Sequence, residues 1–120
     1  MNKIINKSNI HEQLIQLSKI FKSGFTVIIK NGQINQYCYY KYPYIVSIKT
    51  LIKIHNKDIV NYGNIPNNCI IGAWLDIETN NYFIELNSVY KSLFIALQKA
   101  KEYKQKYIYN IITGEMIKVD

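Results

Sequence analysis

Reactive side chains are few in this chain, and their spacing argues against most catalytic chemistry. His11-Glu12-Gln13-Leu14-Ile15 begins as a helical zinc-binding motif does. Ile15 stands where the second histidine is required, so two imidazoles cannot share one helical face. His55 is the only other histidine, and two histidines with two distant cysteines have no metal-ligand spacing. Cys38 stands among Tyr37, Tyr39 and Tyr40 with no acid or histidine beside it to favour a thiolate, so it reads as a small buried hydrophobe. Asp76 and Glu78, two apart on a strand-like segment, would share a face, but they approach a turn where paired acids are solvated. With only 8 acidic residues and no glycine-rich loop leading into a lysine, neither a carboxylate-pair hydrolase nor a phosphate cradle finds its parts. The expectation is a protein that is not an enzyme, with no catalytic residue, no metal site and no cofactor.

Recognition is better provided for. The run from Gln33 to Tyr44 carries Tyr37, Tyr39, Tyr40, Tyr42 and Tyr44, with Lys41 among them. In strand register Tyr37 and Tyr39 face one way and Tyr40, Tyr42 and Tyr44 the other. One set can enter a core; the other is then displayed. Displayed tyrosines bring large contact area at little entropic cost and are enriched at protein interfaces. They also stack on bases, with adjacent lysines following a phosphate backbone. The candidate partner-binding residues are therefore Tyr37, Tyr39, Tyr40, Lys41 and Tyr42, joined by Lys99, Lys101 and Lys104 of a later helix. The plainer alternatives are tyrosines packed half-buried on a strand and lysines on a solvated helix face. Trp74, the only tryptophan, reads as core.

The elements that must position these residues follow from periodicity and turn signals. Asn9 with Glu12 three residues later reads as a capping box, with Ser8 the other candidate cap. Ile10, Leu14, Leu17 and Phe21 make the apolar stripe of a helix over about 9–22, and Gly24 its stop. Asn31-Gly32 between strand-like runs marks a hairpin over 25–40. A strand from Tyr44 to His55 follows Pro43, then a short helix from Lys57 to Tyr62 and a loop over 63–68. A second hairpin occupies 69–86, turning at 78–81. A second helix over 88–104, capped by Asn87 or Ser88, has Val89, Leu93, Ala96, Leu97 and Ala100 on its buried face. Thr113-Gly114 turns a third hairpin over 107–119. The sum is one α+β domain over 1–120, a mainly antiparallel sheet backed by two main helices.

At 120 residues and 48% hydrophobic, the chain can bury one core without disulfides or metal, and Cys38 and Cys69 are expected to be free thiols. Its net charge is +7, carried entirely by lysine, and favours an anionic partner surface. The absence of arginine removes the bidentate fork used to read guanine, which weighs against sequence-specific DNA recognition. The wealth of Ile, Asn, Lys and Tyr also follows from AT-rich coding, whatever the function. No secretory signal or membrane-spanning run is evident, so the chain is expected to be soluble and cytoplasmic, without a membrane partner. Exposed hairpin edges leave homodimerisation open.

Gly72-Ala73-Trp74-Leu75-Asp76, Tyr82 to Leu86, Ala96 to Lys101 and Ile108 to Glu115 together resemble small uncharacterised proteins carried by bacteriophages and prophages. The resemblance covers roughly residues 24–119 in outline and transfers no catalytic residue. It implies a mobile-element setting in which small, charged, non-enzymatic inhibitors of host defence, such as anti-CRISPR proteins, are common. Two functions follow as expectations: an inhibitor that binds a host protein or ribonucleoprotein effector in the host cytoplasm, or an RNA or single-stranded nucleic-acid-binding module using Tyr and Lys.

Overall fold

The computed structural model describes residues 7–38 and 41–120. In chain order the elements are α1 (Lys7–Ile20), β1 (Gly24–Lys30), β2 (Gln33–Gln36), β3 (Tyr44–His55), β4 (Asp58–Asn61), β5 (Cys69–Asp76), β6 (Asn81–Tyr90), α2 (Leu93–Glu102), β7 (Tyr107–Asn110) and β8 (Glu115–Lys118). The strands form one antiparallel sheet in the order β2-β1-β5-β6-β3-β7-β8, with β4 also pairing β3. This is the α+β architecture that the sequence implies.

Both helices lie on one face of the sheet. On β6, Tyr82, Ile84 and Leu86 join the cluster that buries Ile10 and Leu14 of α1, while Tyr90 joins the cluster that buries Ala96 and Ala100 of α2. These β6 positions differ by even numbers, and alternate strand residues share a face. Val27 and Ile29 of β1, Ile71 of β5 and Ile52 of β3 complete the first cluster; Val46 of β3 and Ile108 of β7 complete the second. The other face carries no helix among the described residues.

Turn chemistry explains the hairpins. Asn31 and Gly32 take φ of 53° and 72°, the left-handed pair that a two-residue turn demands, and join β1 to β2 as the sequence predicts. Residues 57–62, expected as a helix, instead supply β4. Asn56 adopts φ 56° and turns the chain so that His55 pairs with Asp58 and Lys53 with Val60. Asn tolerates the left-handed region almost as glycine does, so Asn56-Lys57 acts as a hairpin turn without the usual glycine.

Three boundaries also move. β2 stops at Gln36, so Tyr37 and Cys38 lie beyond the strand. α1 begins at Lys7, which places Ser8 and Asn9 within its first turn and not at its cap. β6 continues through Tyr90, so Asn87, Ser88 and Val89 are strand residues; Ser92 caps α2, its Oγ accepting from the Ile95 N–H at 3.3 Å. Apolar spacing at 89 and 93 fits a helix and equally a strand that ends before one, and ten cross-strand pairs with β3 decide for the strand. Gly24, expected to stop α1, opens β1 at φ 140°. A Cβ there would sit 2.2 Å from the Ala73 carbonyl oxygen, so glycine is what lets β1 close on β5.

Candidate functional site

The register places one row of residues across the helix-free face. Gly24 of β1 pairs with Trp74 of β5, Trp74 with Phe83 of β6, Phe83 with Lys53 of β3, and Lys53 with Val60 of β4. Trp74, expected in the core, is 44% exposed here. Its ring stacks on Phe83 with centroids 5.0 Å apart and planes at 30°, an offset-stacked geometry that adjacent strands naturally impose.

The next row anchors the indole. Glu85 lies two residues along β6 from Phe83, hence on the same face, and is paired with Thr50 of β3 and Gly72 of β5. Trp74 Nε1 donates to Glu85 Oε1 at 2.9 Å, and Thr50 Oγ1 donates to Glu85 Oε2 at 3.1 Å. Asn87, the next residue on this face, covers Gly72 so closely that a Cβ at 72 would meet its Nδ2 at 2.0 Å. The result is an aromatic pair with one ring pinned by a carboxylate, on a face that no helix among the described residues covers.

The candidate partner-binding residues are divided by the fold. Tyr39 and Tyr40 lie outside the described residues. Tyr37 is 3% exposed, and its hydroxyl donates to the Tyr42 carbonyl at 3.0 Å, so its ring offers a partner no contact surface. The expected alternation of tyrosine faces ends with β2, because the chain leaves the sheet after Gln36. Lys41 and Tyr42 are exposed at the approach to β3, where the Ile111 N–H donates to the Pro43 carbonyl. Lys101 and Lys104 are exposed, while Lys99 is half-buried and reaches Glu102 at 3.5 Å.

These two groups occupy opposite ends of α2. Tyr44 pairs with Tyr90, three residues before α2 begins at Leu93. At the other end the Val119 N–H donates to the Lys106 carbonyl and Tyr107 pairs with Lys118. Ten helical residues span about 15 Å, so Tyr42 and the Lys101–Lys104 group do not form one patch. A separate apolar patch, Phe94 and Ile95 of α2, is exposed near the helix start.

Chemistry remains sparse in three dimensions. Among the described residues no group of three or more His, Cys, Asp or Glu is placed to hold a metal ion. His11 Nε2 lies 3.2 Å from the Gly63 carbonyl, 52 residues away, and His55 faces Asp58 across the β3–β4 hairpin. Asp76 Oδ1 accepts from the Glu78 N–H at 3.1 Å, which makes this pair a turn device and not two acids on one strand face. Cys38, read as buried, is exposed; both cysteines are free. The Cys69 thiol donates to the Pro66 carbonyl at 3.0 Å, and burial pushes its pKa up to about 11.

The Trp74 site was missed in the sequence because Gly72-Ala73-Trp74-Leu75 reads as one continuous apolar run. Strand parity was the available signal: Ile71, Ala73 and Leu75 make a complete core-facing set, and Trp74 falls between them. No helix among the described residues is long and apolar enough to cross a membrane. The chain matches no protein-family model, no curated protein and no solved structure.

Proposed function

We propose that this protein is a non-enzymatic binding protein of phage or mobile-element origin, which inhibits a host defence system by attaching to its effector complex. One observation supports binding above all: the helix-free sheet face displays Trp74, pinned by Glu85 and stacked on Phe83, where a globular core would have buried it. A large aromatic side chain held rigid and exposed loses little entropy when a partner covers it, and such residues dominate binding energetics. The mobile-element setting comes from the sequence resemblance, and the +7 charge favours a partner with an anionic surface, whether acidic protein or bound nucleic acid.

Affinity capture from lysate of a CRISPR-bearing host, with and without nuclease treatment, tests this reading. A defined effector retained by the wild-type chain, surviving nuclease and lost with Trp74→Ala, is the expected result. Failure of both chains to retain any effector subunit would overturn it.

A further inference from the structure

Among the described residues, β4 is the only edge strand with exposed apolar side chains on both faces. It pairs with β3 along one side and with no other described strand along the other. All its residues are exposed, Ile59 and Val60 at 44% each, and Tyr62 just beyond it at 57%. Free strand edges invite pairing with another chain, and proteins protect them with lysine, proline or a bulge. β8 carries Lys118, and β2 shows Gln33, Asn35 and Gln36. β4 has neither lysine nor proline, and its register with β3 is unbroken.

That register fixes which backbone groups are free. The Tyr62 N–H donates to the Leu51 carbonyl at 2.8 Å, and in step with it Lys53 pairs with Val60 and His55 with Asp58. Hydrogen-bonded pairs alternate along an antiparallel ladder, so Asp58, Val60 and Tyr62 turn their backbone groups inward to β3. Ile59 and Asn61 turn theirs outward, where no described strand receives them. Two outward residues with one position between them are self-complementary under a two-fold rotation. Ile59 of each copy exchanges both its bonds with Asn61 of the other, which satisfies every outward group. Val60 then stands opposite its own counterpart at the axis, and Asp58 opposite Tyr62.

The side chains suit this arrangement. Val60 against Val60 is a β-branched apolar pair, and no like charges meet, because Asp58 faces Tyr62 and Lys57 faces Gly63. Lys53 lies one strand further in on each side. The two copies therefore hold these lysines three strand spacings apart, roughly 14 Å, beyond the screening length at physiological salt. A partner drawn by the +7 charge finds only Asp58 as a charge on β4, whereas a second copy matches this edge group for group.

We infer that β4 pairs antiparallel with β4 of a second copy about a two-fold axis at Val60, so that two sheets run on as one. This goes beyond effector binding and sets how the helix-free face is presented. The rows of Trp74, Phe83, Lys53 and Val60 join end to end. The two Trp74 rings then lie seven strand spacings apart, about 34 Å along the sheet. So short a seam makes a weak dimer that concentration populates.

Sedimentation of the wild-type chain in reducing buffer, at rising concentration, should show a reversible monomer–dimer equilibrium. In a Cys38→Ser background, Val60→Cys should form a disulfide dimer under copper phenanthroline oxidation far faster than Ile59→Cys or Asn61→Cys. Only position 60 meets itself, at the close Cα spacing of a non-hydrogen-bonded pair. Val60→Lys sets like charges opposite each other and should weaken dimerisation at least about five-fold, with the circular dichroism of the monomer unchanged. The wild-type sedimentation decides the matter even if a variant does not fold. A chain that stays monomeric at every concentration overturns the inference, as does a dimer in which position 60 cross-links no faster than 59 or 61. A chain monomeric alone, whose Ile59 and Asn61 amides become protected from exchange only when an effector is added, assigns the edge to that partner. Self-pairing is then overturned and the binding function stands.

Discussion

Trp74 and Glu85, on neighbouring strands and eleven residues apart in sequence, are joined by a 2.9 Å hydrogen bond from the indole Nε1 to the carboxylate. Thr50 Oγ1 holds the second carboxylate oxygen, so the ring orientation is set by a three-residue relay across β5, β6 and β3. Glu85→Ala removes the acceptor while leaving the Phe83 stack. The expected result is a loss of about 1 kcal/mol in urea denaturation and a broadened Trp74 emission with lower anisotropy. Glu85→Gln keeps an acceptor for the indole and should restore the anisotropy.

Alkaline pH should destabilise the fold in two steps. Burial raises the Cys69 pKa from its ordinary 9.0 to about 11, and that of Tyr82, whose hydroxyl donates to the Phe21 carbonyl at 2.7 Å, from 10.0 to about 12. Between pH 9 and 11 the unfolded chain releases the Cys69 proton while the folded chain keeps it. Stability from this group is thus complete below pH 9 and is lost as pH rises toward 11; Tyr82 repeats the pattern between 10 and 12. Urea midpoints measured across this range should fall, Cys69→Ala should flatten the first part, and Tyr82→Phe the second. A midpoint unchanged up to pH 11 would contradict the burial of the thiol.

Thiol chemistry should separate the two cysteines under native conditions. Exposed Cys38 reacts with an aromatic disulfide reagent in a fast phase, whereas half-buried Cys69, bonded to the Pro66 carbonyl, reacts in a slow one. Cys38→Ser should abolish the fast phase only.

The cap of α2 distinguishes the observed strand–helix boundary from the one the sequence suggests. Ser92→Ala should cost about 1 kcal/mol, whereas Ser92→Asn, which keeps a capping oxygen, should cost little. Ser88→Ala, by contrast, removes only the hydroxyl bond to the Val46 carbonyl in the sheet and should leave helix content in circular dichroism unchanged.

Gly24→Ala should be among the most damaging single-methyl changes in the chain, because φ 140° and the 2.2 Å approach to the Ala73 carbonyl act together. A loss of at least about 2 kcal/mol is expected from backbone strain of this kind. Gly63→Ala, with nothing within 4 Å of the added methyl, is the control and should change little.

The architecture was legible where local rules were strong. Asn31-Gly32 fixed the first hairpin, and the strand expected from Tyr44 to His55 is β3 residue for residue. Ile10, Leu14, Ala96 and Ala100 are buried as helical periodicity requires. What escaped was decided by long-range pairing. Residues 58–61 become a strand because β3 offers them an edge, and 87–90 remain extended because β3 pairs them. That some aromatic side chains would be displayed was readable from composition, but which ones was not. Tyr37 is buried although it lies beyond β2, and Trp74 is shown because α1 docks on the face that Ile71, Ala73 and Leu75 share.

The join between β3 and β7 consists of only two residue pairs, Tyr44 with Asn110 and Ile45 with Tyr109, against the ten that bind β3 to β6. α2 and β7 bury Ala96, Ala100 and Ile108 in the smaller of the two clusters, which Val46 and Tyr44 of β3 and Tyr90 of β6 also join. The last quarter of the chain is thus tied to the rest by a short strand seam and this small cluster, and is the segment expected to open at less than the free energy of global unfolding. Amide protons of β7 and β8 would then exchange with solvent well before those of β5 and β6. The Trp74 face, mounted on the more fully paired strands, would keep its shape if the far end of the molecule opened.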